Sequence, residues 1–440
     1  MKKIIINIII FLPITLLAQN PIVPAGVYIA DPSAHVWNDG KLYIYGSRDE
    51  SPDYYCSWKH HVISTSDLKT WTIHENAFAS KGEGDQVDYS DDLLYAPDAQ
   101  YKNGIYYLYY CLANNTNTEG VATSQSPVGP FVNGKSIYTK GINQIDPCVF
   151  IDDDKQAFYI WGQSTAKVAK LKPGMTEIDT STIHDKVITE KEHKFHEGGY
   201  MVKRNGIYYF VYAGIGNSGM PTCISYSTSN SPFGPFKYGG VIIDNDHCDP
   251  GNWNNHGSLV EFKGKWYVFY HRSTHGSYTM RKACLEPISF NPDGSIPQVE
   301  MTSQGAGGPI SALNKIEAEQ ACLLHGNVRV QAYTSDQEEL GAIKNDDKAA
   351  YKYIDFGDGV ESVSIRVAPG VKPGNISFSI DNLWNWPAYA TVEVPGNGDG
   401  KTWQTITVKV NKIKGVHSLW LRLNGEGSDL YKIDWFRFNL

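Results

Sequence analysis

The sequence predicts an all-β chain, a five-bladed β-propeller followed by a β-sandwich of jelly-roll type. Two observations carry the propeller. Five times an apolar-alternating run meets a tight turn and then an aromatic-rich run, and each unit is too short to bury a core alone. A third motif also recurs downstream as Thr65-Ser66-Asp67-Leu68-Lys69-Thr70-Trp71, Ser124 to Phe131 and Ser229 to Phe236. The sandwich rests on a change of texture after Met301, where a Gly/Ser/Pro-rich stretch gives way to short alternating segments.

The five turns are Asn38-Asp39-Gly40, Asn103-Gly104, Asp152-Asp153-Asp154, Asn205-Gly206 and Lys263-Gly264. The runs that follow are Lys41–Tyr45, Ile105–Tyr109, Ala157–Trp161, Ile207–Val211 and Lys265–Phe269. Asn, Asp and Gly between alternating strands are the composition of β-hairpins, because these residues accept the positive φ that a tight hairpin turn demands. The expected divisions are a signal peptide over 1–19, the propeller over 20–304, a linker over 305–314 and the sandwich over 315–440. Strands of the sandwich are expected near Tyr353–Phe356, Val363–Val367, Ile376–Ile380, Ala390–Val394, Thr405–Val410, Ser418–Leu423 and Ile433–Phe438. Helix signals are weak throughout.

Met1-Lys2-Lys3, the apolar run Ile4–Leu17 and the small Ala18 read as an export leader, cut near Ala18 or Gln19. No cysteine follows the apolar run, so a lipid anchor is not expected, and a secreted or periplasmic location is. No later segment reaches membrane-spanning length. A formal charge of −8 argues against nucleic acid and anionic membranes as partners. Aromatics at 12%, including 28 Tyr and 11 Trp, suit both a β-rich core and surfaces that stack on sugars. The seven cysteines are widely spaced without a CxxC pair, which indicates mainly buried thiols rather than zinc or a dense disulfide framework.

The chemistry lies just before each hairpin turn. The five first strands open with Ala30-Asp31-Pro32, Ala96-Pro97-Asp98, Ile145-Asp146-Pro147, His196-Glu197-Gly198 and Asn255-His256-Gly257. Innermost propeller strands start at one mouth of the central channel, so these groups are expected to converge. Singly, Asp31 and Asp146 read as turn residues, Glu197 as a solvated acid and His256 as a structural histidine. Their shared place in a fivefold repeat lifts the set above those readings. Converging carboxylates are what glycosidic cleavage needs, an acid for the leaving oxygen and a base for water, with a third carboxylate able to raise the acid's pKa.

The run from Ala30 to Tyr45, with Ile145–Asp154, His196-Glu197-Gly198 and Asn255-His256-Gly257-Ser258, resembles family 43 glycoside hydrolases over about residues 20 to 305. The resemblance implies an inverting enzyme with Asp31 as general base, Glu197 as general acid and Asp146 as the residue that raises the pKa of Glu197. It implies further that His256 supports a hydrated calcium ion and that Arg281 contacts the terminal sugar. The two catalytic carboxyls are expected roughly 6.5–9.5 Å apart. Tyr95-Ala96-Pro97-Asp98 stands where many members have tryptophan, and Asp98 reads as structural or substrate-positioning. The implied substrate is a plant polysaccharide or oligosaccharide, with terminal α-L-arabinofuranosyl or β-D-xylosyl units leading. Galactan- or galactofuranose-directed and endo-arabinanase activities, and a non-catalytic glycan-binding propeller, are the alternatives.

Ile316-Glu317-Ala318-Glu319, Tyr353–Gly357, Lys401-Thr402-Trp403-Gln404, Gly415-Val416-His417 and Ile433–Phe436 resemble family 6 carbohydrate-binding modules. That resemblance implies a structural calcium at Glu317, Glu319 and Asp434, with surface carboxylates as the alternative, and a sugar-stacking Trp403. Ala342 replaces a usual aromatic and Lys432 a frequent Asn, so the usual cleft is expected to be weak. Trp384 and Trp386 form another candidate platform, with packing as the alternative.

Overall fold

The computed structural model describes residues 19–114, 118–384 and 387–440. The leader and Trp386 lie outside them. Among the described residues no helix is long and apolar enough to cross a membrane.

Five antiparallel sheets form the first domain. The blades run through Ile29–Ala79, Asp98–Ser136, Cys148–Thr189, Phe195–Asp244 and Ser258–Ile288. The first four have four strands each and the fifth has three. All five aromatic-rich runs are second strands. The turns before them place Asn103 at φ 53, Asn205 at φ 51 and Lys263 at φ 51, each followed by a glycine with positive φ. Those turns fix the register that sends alternate Tyr, Phe and Trp side chains into the seams between blades.

The innermost strands of successive blades touch in a closed cycle, the fifth returning to the first. Ser258 Oγ donates to Pro32 O at 2.8 Å and accepts from Ala34 N at 3.0 Å, joining fifth blade to first. The outer edge of the three-stranded fifth blade is covered by the segment that precedes the first. Ile22 N donates to Ala283 O at 2.9 Å. The Asn20 side chain brackets Leu285, donating to its O and accepting from its N, both at 3.0 Å.

The second domain has two sheets of six strands that face one core. All seven strands expected there are present, for example Asp347–Asp355, Gly374–Ile380 and Tyr431–Asn439. Additional strands at Arg329–Thr334 and Gln337–Gly341 are too polar to show period-two alternation in the sequence. Phe356, Phe378, Phe436 and Phe438 pack edge-to-face at the centre. Residues 305–314 carry a 3-10 turn at Gly305–Gly307 and a two-residue strand, Ile310–Ser311, parallel to Asp347–Asp355. The domains are docked. Lys282 Nζ reaches Glu338 Oε2 at 2.5 Å, and Tyr28 donates to Glu338 Oε1 at 3.1 Å. All seven cysteines are buried and free.

Candidate active site

Asp31, Asp146, Glu197, His256 and Arg281 line one pocket of about 240 Å³ at the mouth of the channel. Tyr55, Tyr95, Gln163, Trp253 and Asn254 complete its wall. The structure thus brings together four of the five groups that the repeat singled out, Asp98 excepted, and the reason is local backbone geometry. Asp31 and Asp146 each precede a proline and adopt left-handed φ values of 52 and 62, a strained conformation that Asp accepts better than most residues. The first-blade strand is bulged between Ala30 and Ser33, and the Glu197 strand between Phe195 and Tyr200. Bulges of this kind re-aim a side chain out of the regular alternation. Gly198, at φ 66, lets the His256 ring approach, since a Cβ there would sit 2.8 Å from it.

The three carboxyls have different surroundings. Asp31 Oδ1 accepts from Arg281 Nη1 at 2.9 Å and Oδ2 from Ser47 Oγ at 2.6 Å. Burial alone would push its pKa up, but Arg281, with His271 and His256, holds it well below the usual carboxylate range. Asp31 is an anion. Asp146 is pushed the other way, by burial first and then by the charges of Glu197, Asp31 and Glu119. Its backbone N–H donates to Cys111 Sγ at 3.3 Å. Glu197 Oε2 accepts from Gln163 Nε2 at 2.9 Å and Oε1 from Asn254 Nδ2 at 3.3 Å. Such amide donors orient a carboxyl without fixing a positive charge on it.

Arg281 is a buried clamp. Its Nε and Nη2 donate to Asp49 Oδ2 and Oδ1, both at 2.9 Å, and its guanidinium lies 4.9 Å from the Tyr55 ring centre. It lines the pocket as expected, and it also fixes the anion of Asp31. His271 accepts from the Asp31 N–H through Nδ1 at 3.3 Å, which leaves its Nε2–H for Asn254 O at 3.2 Å. Burial lowers the pKa of both His256 and His271.

Asp98 lies apart from the pocket lining. It is buried, with Oδ1 held by Ser33 Oγ at 2.5 Å and His35 Nε2 at 2.6 Å, and Oδ2 by Val149 N at 2.6 Å. It ties three blades together, so of its two expected roles the geometry fits the structural one. Three residues missed by the sequence reading, Asp49, Gln163 and His271, share one signal. Each lies at or just beyond the end of an aromatic-rich second strand, which in a hairpin returns to the mouth where the first strand began. Glu119 was missed as well. It is fully buried, its Oε2 accepts from Tyr159 at 2.6 Å, and burial pushes its pKa up to about 8.

The expected calcium sites differ in fit. His256 Nδ1 lies 3.6 Å from Asp31 Oδ1 and 4.0 Å from Asp146 Oδ2. A neutral imidazole beside carboxylates fits a cation held through water, not a direct cage, since calcium prefers six to eight oxygens. In the second domain the expected trio is split: Glu317 and Glu319 line one cavity with Glu338 and Lys282, and Asp434 is not among its lining residues. Asp434 accepts from Arg366 at 2.5 Å, and Glu317 pairs with Lys315 at 2.6 Å. Glu319 is buried with Oε2 unpartnered, and its pKa is pushed up to about 8 by that burial. Among the described residues no group of three or more His, Cys, Asp or Glu is disposed to hold a metal. Trp403 is half-buried, with Tyr333 5.3 Å away and the Arg366 guanidinium 5.2 Å over its ring. Trp384 is 79% exposed.

Known proteins with this architecture are glycan-cleaving enzymes. A xylosidase/arabinosidase of Thermoclostridium stercorarium is 31% identical, over 93% of this chain and 96% of its own. The solved arabinoxylan arabinofuranohydrolase of Bacillus subtilis, in complex with cellotetraose, is 27% identical with a TM-score of 0.55, covering 96% of this chain and 97% of that one. A β-xylosidase/α-arabinofuranosidase from a compost metagenome, solved with xylotriose in a calcium-free form, is 28% identical with a TM-score of 0.54, over 66% of this chain and 99% of that one. Residues 317–440 match the carbohydrate binding module of family 6. Residues 18–296 match glycosyl hydrolases family 43, and with that the chain belongs to that family and is a glycoside hydrolase.

Proposed function

We propose that this enzyme is a secreted or periplasmic inverting exo-glycosidase that removes terminal α-L-arabinofuranosyl or β-D-xylosyl units from plant polysaccharide. One observation carries the mechanism, the opposed settings of Asp31 and Asp146 on either side of one small pocket. Asp31, kept ionised by Arg281, accepts a proton from a water that attacks the anomeric carbon. Glu197 donates a proton to the departing oxygen. Asp146 and Glu197 line the same pocket and hold one proton between them, because two neighbouring buried carboxylates cannot both ionise at low cost, and that proton is the one Glu197 delivers. Gln163 and Asn254 aim the Glu197 carboxyl. A pocket of about 240 Å³ lies below the usual size range of small-molecule sites and suits one sugar residue, which favours exo action over cleavage within a chain.

A calcium ion held through water beside His256 would offset carboxylate charge. In the same reading Trp403 is at most a weak sugar platform, because Arg366 lies over its ring, with Trp384 as the exposed alternative. The decisive experiment is turnover of para-nitrophenyl arabinofuranoside, xyloside and galactofuranoside, with product anomers followed by NMR. Inverted arabinose or xylose is expected. Retention would refute single displacement, and no turnover of any glycoside would favour a glycan-binding propeller.

A further inference from the structure

A second groove adjoins the catalytic pocket, and its chemistry differs from the rest of the chain. It measures about 130 Å³ and is lined by Arg48, Glu50, Trp58, Lys59 and Lys81. Three cations face one carboxylate, in a protein whose formal charge is −8. Glu50 is shared, with Arg48 Nη1 at 3.0 Å and the Tyr54 hydroxyl donating at 3.0 Å. The Lys81 ammonium lies 5.2 Å over the Trp58 ring, and Asp92 is the carboxylate beyond it. Burial first, then the charges of Arg48 and Lys59, lower the pKa of His61 to about 4.

Two chain segments run from the wall of the active site to the groove. Tyr55 and Cys56 wall the pocket, and Trp58 and Lys59 follow them directly. Opposite, Tyr95 and Ala96 wall the pocket, while Leu94 bridges to Ser57 and Asp91 O accepts from the Trp58 indole at 2.8 Å. Trp58 is thus fixed by its N–H, three residues from Tyr55, or within about 10 Å along an extended chain. Lys81 already covers one face of that ring, so what the groove offers a glycan is charge rather than a stacking surface. The cations around it supply what an uncharged glycan does not use.

We infer that this groove binds a uronic-acid residue of the polysaccharide, its carboxylate against Lys59, Lys81 and Arg48. The inference deepens the proposed function by naming an acidic glycan as the preferred substrate, and it rests on that reading for the identity of the neighbouring pocket. Guanidinium and ammonium groups recognise carboxylates by charge-assisted hydrogen bonds, which here lie at the solvent edge and are therefore salt-sensitive.

The test compares a xylo-oligosaccharide bearing one glucuronosyl branch with the same compound after reduction of its carboxyl to an alcohol. Binding to the full chain is measured by titration calorimetry at low and high salt. The acidic form is expected to bind roughly tenfold tighter at low salt, with the margin shrinking as salt rises. The double variant Lys59→Ala/Lys81→Ala should remove that margin while leaving kcat/KM on para-nitrophenyl glycosides unchanged, since neither the half-buried Lys59 nor the exposed Lys81 lines the catalytic pocket. Equal affinity of the two oligosaccharides for the unmodified protein, or a preference that survives the double variant, overturns the inference. Failure of the glycosidase reading looks different, because it abolishes aryl-glycoside turnover while leaving the acidic preference intact.

Discussion

The mouth of the propeller and the edge of the sandwich each carried an expected set of three acidic residues. The first set converges whole, the second only in part. Asp31, Asp146 and Glu197 line one pocket, whereas Glu317 and Glu319, two positions apart, share a cavity that Asp434, bound to Arg366, does not line. The propeller residues occupy one position of a repeat, and the repeat's geometry maps that position onto one ring. The sandwich residues had single-copy motifs with no symmetry to bring them together. Shared position in a repeat is spatial information; similarity of a short motif is not.

The largest expected effect tests the propeller side of that contrast. Glu197→Gln should lower kcat by roughly 10²–10⁴-fold or more on natural glycosides with little change in thermal midpoint, because it keeps the side chain's shape and one acceptor oxygen and removes the acid. Retained activity would remove Glu197 from its role. Arg281→Met should destabilise the fold by about 3–5 kcal/mol in denaturant titration, since it leaves Asp31 and Asp49 buried without their cation. An unchanged midpoint would show that this clamp is dispensable.

The pH dependence sharpens the comparison, because buried acids occur in both domains. Glu119 in the propeller and Glu319 in the sandwich are raised to about 8, and Glu286 to about 7, in each case mainly by burial. The folded state then holds protons that the unfolded chain gives up near pH 4.3, so stability should fall as pH rises from about 5 to 8. Asp31 acts oppositely. Its stabilisation is present above the unfolded carboxylate pKa and is lost as pH falls toward the depressed folded value. Glu119→Gln, which keeps an acceptor for Tyr159, should flatten the loss between pH 5 and 8. A denaturation midpoint that rises over that interval would contradict this account.

Smaller effects belong to the sandwich. Glu338→Gln should cost about 1–3 kcal/mol by unpairing the buried Lys282 at the domain junction, visible as earlier melting. Trp403→Ala should change retention on an arabinoxylan affinity gel by less than about twofold, because Arg366 already occupies space over its ring. A larger loss would restore Trp403 as a sugar platform.

Much of the fold was legible because hairpin turns with Asn-Gly and runs such as Ile105-Tyr106-Tyr107-Leu108-Tyr109 are local signals with local causes. The polar strands Arg329–Thr334 and Gln337–Gly341 were not, since they take their place from neighbours rather than from their own alternation. In the site, the residues opening first strands were found, while Asp49, Gln163 and His271 needed the hairpin's return path to be followed. Glu119 had no sequence signal, because nothing in Thr118-Glu119-Gly120 distinguishes a buried acid from a solvated one.

The covering of the fifth blade by Asn20 and Ile22 has a consequence for assembly. The side-chain bond from Asn20 to Leu285 joins positions 265 apart, so this clasp is made of the earliest described residues and nearly the last of the domain. During synthesis the first blade waits with an unguarded flank until the fifth emerges, and only then does the ring lock. The part translated first is the part secured last, and the pocket anion Asp31 sits on that waiting flank.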